Sequence, residues 1–404
     1  MIADPTASWP GLRALARARA QELGAPTSRL EAWRYVDVRP LAATPAAGLP
    51  LDQALALLCD QVGALPQALM VDGVAVSACA PGEEAPAATW LSELPRARQE
   101  ALCARWRAQL EREDDVGACW SLADGGDGLL LQAERGERSL ELWLVSSGGR
   151  SGGRVLIEVG AGAGLDLVLR HLDLGAAHAS VALDITIAAG GRLRVDELQT
   201  SAHAGGTGVL LSSARVTLNE RASARWVIGQ QGGALVRQCL HVRMAGPHSE
   251  LDLASLAVLD GVRQAHLLTR VAHEYGATRS AQLVKTSVDG RSQASFDGLV
   301  AISRGADGAD ARQYHHNLLL SPQARVDTRP QLDIHADDVQ AAHGATVGRP
   351  NPDEVFYLRS RGLSEIEALA LLALGFGREV AQQLHNPGMR ALAEALLADS
   401  MMPG

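Results

Sequence analysis

A chain of 404 residues with 37 Lys+Arg against 46 Asp+Glu carries a formal charge of −9, which leaves no basic field for holding nucleic acid by counterion release. Hydrophobic residues make up 47%, too many for intrinsic disorder and enough for large packed cores spread over two or three domains. The longest apolar run, residues 368–376, is too short for a bilayer core of roughly 30 Å. The first residues lack the basic and apolar segments of a secretion signal, so a cytoplasmic protein that contacts no membrane is expected.

In chain order, the first 115 or so residues read as mainly helical. Ser8 is a cap ahead of Trp9-Pro10, and Leu12, Leu15, Ala16, Ala20 and Leu23 recur at helical spacing until Gly24 and Pro26 end the helix. Residues 51–58 and 90–110 predict further helices, with a short strand at 68–76 between them. From about 122 to 347 the period changes to alternation, as in Leu165-Asp166-Leu167-Val168-Leu169 and Val181-Ala182-Leu183-Asp184-Ile185. Glycines punctuate the strands at Gly164, Gly191 and Gly246, which predicts a unit of about 28 residues with two or three short strands. Such a unit suits a parallel β-helix of roughly 8 coils and about 40 Å; a sandwich rarely needs this much chain.

After Pro350-Asn351-Pro352 the helical period returns. Ser364 and Glu367 have capping-box spacing. Leu369, Leu372, Phe376 and Val380 form one stripe, with Ile366, Leu371 and Leu374 partly off it. An apolar surface this wide fits either a doubly packed tail helix or a docking surface. Asn386-Pro387-Gly388 breaks the helix, and 389–402 predicts a last one. The expected domains are a helical 1–118, a β-helix over 119–348 and a helical segment over 349–404.

Local motifs mostly exclude chemistry. The five cysteines, Cys59, Cys79, Cys103, Cys119 and Cys239, form no C-x-x-C and read as reduced, mostly buried thiols. Lys285 is the only lysine and follows no glycine loop, so the chain holds no phosphate loop of its own. Twelve histidines include no H-E-x-x-H. His315 and His316 are adjacent and would face opposite ways on a strand; His241/His248 and His266/His273 lack flanking acids or cysteines. Gly160-Ala161-Gly162-Ala163-Gly164 leads into a strand pattern rather than a phosphate-binding helix, and no G-x-S-x-G is present. A β-helix carbohydrate lyase or hydrolase would need a groove of acids, yet Asp337-Asp338 would point apart on a strand.

Residues 313–362 differ in kind. They hold Gln313, Asn317-Leu318-Leu319-Leu320-Ser321, Asp327-Thr328-Arg329-Pro330-Gln331-Leu332-Asp333-Ile334, Ala336-Asp337-Asp338-Val339, His343-Gly344-Ala345-Thr346-Val347-Gly348 and Phe356-Tyr357-Leu358-Arg359-Ser360-Arg361-Gly362. This series resembles the SufB/SufD family of iron–sulfur cluster assembly proteins. Leu30-Glu31-Ala32-Trp33-Arg34-Tyr35-Val36-Asp37-Val38-Arg39-Pro40-Leu41 resembles the N-terminal signature of its SufD branch; Lys285, Gly290-Arg291-Ser292 and Phe296-Asp297-Gly298-Leu299-Val300 match as well.

The resemblance implies a right-handed β-helix between helical ends and a non-catalytic scaffold that works with a SufB-like homologue and the SufC ABC ATPase. It places the ATPase on the C-terminal helices and the homologue on the last coils, which assigns Gln331, Asp333, Asp337, Asp338, Arg361, Ile366, Leu369, Leu372 and Phe376 to partner interfaces. A homodimer of the isolated chain is the alternative pairing. It implies no cofactor held tightly by this chain alone, a nascent iron–sulfur cluster in the complex, and His343 as the cluster-assembly residue and metal ligand; whether a flavin binds stays open. Many relatives carry cysteine two positions before that histidine, where this chain has Ala341, so thiolates would come from the homologue. A SufB-type subunit is disfavoured because no cysteine follows Cys239. For Lys285 the chain's arginine bias leaves two readings, a site that demands an ammonium and chance retention.

Overall fold

The structure, a computed structural model, describes residues 9–62, 66–78, 87–202 and 206–399. Ser8, Cys79 and the end of the expected last helix lie outside the described residues. Helix α1 (Trp9–Leu23) leads through two short 3-10 segments, Glu31–Trp33 and Arg39–Ala42, to α2 (Leu51–Val62). The strand expected at 68–76 is a hairpin, β1 (Ala68–Val71) with β2 (Val74–Ala78). Then come β3 (Ala87–Trp90), α3 (Arg96–Leu110) and α4 (Val116–Ala123). Helix α3 starts later than the expected residue 90, because Pro95 is its N-cap and β3 pairs antiparallel with β4 (Leu129–Ala133).

Strands follow one another from there: β5 (Glu137–Ser146), β6 (Arg150–Val159), β7 (Gly164–Asp173), β8 (His178–Ile187), β9 (Arg192–Ser201), β10 (Val209–Leu218), β11 (Ser223–Gln230) and β12 (Leu235–Met244). The series continues through β13 (Glu250–Leu259), β14 (Gln264–His273), β15 (Arg279–Val288), β16 (Gln293–Ile302), β17 (Ala309–Leu319), β18 (Arg325–Ile334) and β19 (Val339–Gly348). From β4 onward each strand pairs in parallel with the strand two places on, odd numbers building one sheet and even numbers the other. The result is the expected parallel β-helix, of about seven turns. Each turn has two strands, mostly of ten residues, so the coil is a flattened two-sheet solenoid. The register sets Gly164 beside Arg192 and Arg192 beside Ser223, 28 and 31 residues on, close to the expected repeat.

Alternation explains the core. Leu165, Leu167 and Leu169 on β7 stack over Leu193 and Val195 on β9 and face Leu183, Ile185 and Ile187 on β8 across the interior. Each turn therefore buries the apolar edge that the previous one leaves open. The corners repeat as well. Gly162, Gly190, Arg221, His248 and Ala277 occupy left-handed backbone (φ 66°, 65°, 52°, 59° and 55°) at successive corners between even and odd strands. Their amides bond along the stack, Gly162 N–H to the Ala189 carbonyl at 3.0 Å and Gly190 N–H to Glu220 at 2.8 Å.

Both outer faces are partly covered. Helices α1, α3 and α4 pack Leu12, Trp106, Val116 and Leu122 against Leu130, Leu156, Leu211 and Leu235 of the even sheet. On the odd sheet, α2 covers Trp143, Val145 and Leu172. The C-terminal helices α5 (Pro352–Ser360), α6 (Glu365–Ala381) and α7 (Pro387–Asp399) follow, with α6 and α7 on Leu198, Val227 and Leu256. Position 118/119 falls inside α4, and β1 to β3 from before it already belong to the two sheets. No helix among the described residues is long and apolar enough to cross a membrane.

Ala277 occupies left-handed backbone with its amide bonded to the Asp307 carbonyl at 2.9 Å. A side chain there costs roughly 1–2 kcal/mol, offset in part by glycine's entropy. Ala277→Gly is therefore expected to stabilise the chain by about 0.5 kcal/mol, read as a higher midpoint in thermal or urea unfolding.

Candidate functional site

The two ends of the solenoid are unlike. At the first, β1 and β5 are backed by the antiparallel β2, and β4 by the antiparallel β3. At the second, β18 and β19 are the last strands of their sheets, and neither contains a buried residue. Their outer edges carry unpaired backbone donors and acceptors. Pro330 interrupts the donor row of β18, as an edge strand allows; β19 has no proline, so its row is unbroken.

Register places the residues of this end. Buried Ala311, Gln313, His315 and Asn317 of β17 face the interior, and their partners on β19 are Ala341, His343, Ala345 and Val347. Ala341 and His343 thus share the inward face, and Ala341 packs on the core. His343 is exposed only because the stack ends there, and its same-face neighbours on β19 are small. Beneath it Gln313 is completely buried, with neither amide atom hydrogen-bonded.

The other expected partner residues separate into two groups. Gln331 donates to Asp297 Oδ1 at 3.2 Å, and the same carboxylate takes Arg329 at 2.7 Å and Arg270 at 2.9 Å. Asp333 pairs with His335 at 3.0 Å on the exposed corner. Asp337 and Asp338 lie in the turn between β18 and β19 rather than on a strand, and Asp338 accepts the Gly308 amide at 2.7 Å. These four sit with His343 at the open end. Arg361, Ile366, Leu369, Leu372 and Phe376 belong to the tail.

In the tail the Ser364–Glu367 capping box is present. The buried face of α6 is Ala368, Ala373, Gly377, Val380 and Ala381, so Leu369, Leu372 and Phe376 flank the seated face instead of forming it. Close approach explains this: a Cβ on Gly377 would lie 2.6 Å from Leu397 and 3.3 Å from Leu256. Two large side chains point away, with Ile366 54% and Leu371 47% exposed, beside Phe356 at 74% and Tyr357 at 57% on α5. Arg361 lies 5.2 Å over the Tyr357 ring. Lys285 holds α6 down: its ammonium donates to the Phe376 carbonyl at 3.1 Å, pairs with Glu379 and lies 4.5 Å over the Phe376 ring. A compact ammonium under a helix carbonyl is a role that the planar guanidinium does not copy.

The histidines and cysteines buried in the coil are closed off. His315 faces inward between Thr328 (2.9 Å) and Thr286 (3.1 Å), and burial pushes its pKa down to about 3. His316 faces out and meets Thr346 at 3.0 Å. His266 is held by Ser295 and Gln264 with its pKa pushed to about 3, and His273 by Thr278 and Ser280 with its pKa near 4, again through burial. Burial raises the Cys119 and Cys239 thiols to about 12 and shifts Cys103 upward, so none is a ready thiolate; Cys59 is exposed on α2. No group of three or more His, Cys, Asp and Glu fit for a metal exists among the described residues. On the inward face of the open end this chain presents one exposed imidazole, His343, while His335 is paired with Asp333 on the corner and His316 meets Thr346 on the outer face.

Sequence reasoning missed how the segment 30–41 is used. Trp33 is buried under the Arg237 guanidinium, 4.0 Å from its ring, and Arg237 is held by Asp115 at 2.5 Å. The Asp37 amide donates to Gln264 at 3.2 Å, and Glu31 reaches Arg329 on β18 at 2.5 Å. The segment is a strap across the even sheet, from β12 to the edge strand. Apart from its resemblance to the family signature, its sequence signal was a tryptophan in a proline-containing stretch.

Residues 143–376 match the family model for the SufBD core domain of SUF-system FeS cluster assembly. The chain is 35% identical over 173 residues to the iron–sulfur cluster assembly protein SufD of Escherichia coli, covering 43% of this chain and 41% of that protein. It is 39% identical over 155 residues to an iron–sulfur cluster assembly SufBD family protein of Synechocystis, covering 38% and 34%. A SufBD family protein of Mycobacterium leprae is 32% identical over 190 residues, covering 45% and 48%. The chain thus spans under half the length of each of these relatives.

The buried histidines set an acid limit. His266 and His315 are held neutral in the folded state, with pKa values near 3 against roughly 6.5 unfolded. Below pH ~6.5 the unfolded chain binds the extra protons, so stability is full above that pH and falls as pH drops toward 3. Each histidine contributes a slope of about 1.4 kcal/mol per pH unit in that window. Urea unfolding from pH 7 to 4 is expected to show this decline, and His315→Gln to make it shallower.

Proposed function

Since the chain belongs to the SufBD family of SUF-system iron–sulfur cluster assembly proteins, we propose that it is the SufD-like scaffold subunit of such an assembly complex, without turnover of its own. The observation that carries this reading is the unlike pair of solenoid ends: one is closed by the chain itself, while the other leaves β18 and β19 without a buried residue. A homologous subunit ending in the same way, SufB-like, supplies strands of matching spacing and twist, which is what an open parallel edge requires. The apolar inward faces of the two end coils, Val326 and Leu332 with Val339 and Ala341, would then become one continuous core.

At that junction His343 is the group of this chain that faces a nascent cluster, which here is cargo. Neutral imidazole is a competent iron ligand. With Ala341 beside it and Cys119 and Cys239 kept protonated, thiolate ligands come from the partner. Energy comes from another partner as well, because the sequence has no phosphate loop. The side chains Phe356, Tyr357, Ile366 and Leu371, exposed on α5 and α6, are the docking surface proposed for the SufC ATPase. Each large apolar side chain that becomes fully buried there contributes about 1.5–3 kcal/mol. Lys285 would carry movement of α6 into β15, two coil positions from β19 in its sheet.

Two measurements test these surfaces. His343→Ala is expected to leave folding and complex formation intact and to lower cluster yield at least tenfold in anaerobic reconstitution followed by visible absorbance. Full yield would remove the histidine from the chemistry. Ile366→Glu with Leu371→Glu is expected to weaken ATPase binding more than tenfold in calorimetry, with little change in thermal midpoint because both positions are exposed. Unchanged binding would place the ATPase elsewhere.

A further inference from the structure

Gln313 is the residue of the interior that packing alone does not explain. It is fully buried on β17, and both its amide oxygen and its amide nitrogen lack a hydrogen-bond partner. A buried amide without partners is destabilising, and an apolar side chain of the same shape avoids the cost. The opposite sheet makes room for it as well: a Cβ on Gly298 of β16 would lie 2.3 Å from Gln313 Nε2. Glycine in a strand interior weakens the strand. Two unfavourable choices, made on facing strands, keep one amide in place.

The register identifies what that amide can serve. Gln313 is the direct partner of His343 across the β17–β19 ladder, and both side chains are on the inward face. Side chains at paired positions on neighbouring strands sit within reach of each other. The nearby imidazole, His315, has both ring nitrogens engaged by threonines, which leaves His343 as the ring with free valences. We propose that Gln313 is the positioning residue for His343: the amide, unpartnered as it stands, needs only a side-chain turn for its oxygen to accept the N–H of one ring nitrogen, which aims the lone pair of the other toward the open end. A neutral imidazole has one donor and one acceptor nitrogen, and the hydrogen bond made by the first fixes which nitrogen is available for a metal. This deepens the role proposed above for His343 and rests on it only for its purpose, not for the hydrogen bond.

The test uses the full-length chain with 15N-labelled histidine at about pH 8.5, well above the ordinary imidazole value. Nitrogen chemical shifts then report the tautomer of His343, assigned by its loss in His343→Ala. The native chain is expected to show a single tautomer. Gln313→Met, apolar and close in shape, is expected to give the mixed tautomers of a free imidazole, and Gln313→Glu, which keeps the acceptor, to restore one. In the complex Gln313→Met is expected to lower cluster yield severalfold without changing subunit composition. Identical tautomer populations in the native chain and Gln313→Met would overturn the positioning role. This readout needs neither partner nor iron, so its failure is distinct from full cluster yield in His343→Ala, which would sink the functional reading instead.

Discussion

The whole molecule depends on one constraint: a parallel coil satisfies the backbone of each strand only through the strands two places before and two places after it. Inside the stack the requirement is met automatically, and the core is continuous from Leu129 to Ala311. At each end it fails. The chain resolves the first end by folding short antiparallel strands over it, and covers the even sheet beside it with three helices. At the second end no described residue does anything comparable. Polar and half-exposed side chains line the last coil, and the sequence resembling SufB and SufD is densest there.

The tail follows another logic. A helix that only had to be anchored would bury its leucines. Helix α6 buries three alanines, a glycine and one valine, lets the backbone come close to the odd sheet, and keeps its isoleucine and a leucine outside. The single lysine of the chain supplies the fixing charge under it. Mostly small residues on the seated face, with Ile366 and Leu371 left outside, make a helix that is firmly seated and still greasy on its free side.

Much of this was legible in the residues. Alternation with glycine punctuation gave the solenoid and nearly its repeat, because one buried face per strand leaves a period-2 trace. The Ser364–Glu367 box and the opposite facing of His315 and His316 were equally local. What stayed hidden is tertiary. Of the α6 stripe Val380 is fully buried and the rest half-buried; periodicity counts large apolar residues and gives no weight to Ala368, Ala373 and Gly377, whose small size lets the helix seat. Arg221, His248 and Ala277 in left-handed backbone carry no sequence mark, since the stacked amide ladder overrides their preference. The start of α3 was misplaced because residues 87–90 are claimed by a strand partner that lies well downstream. The orphaned amide of Gln313 depends on which residues face each other across the interior, and no window along the chain contains that.

The strap also orders events in time. Glu31 and Arg329 are 298 residues apart in sequence, and Trp33 waits for Arg237. During synthesis the amino-terminal segment leaves the ribosome long before the surface it lies on has been made, at a rate of about 5–20 residues per second. It must remain undocked, its tryptophan in water, until β12 and finally β18 have been added. Docking of the strap is therefore a late step that reports on the coil below it, and a nascent chain stalled before β12 would show residues 30–41 still open to a protease.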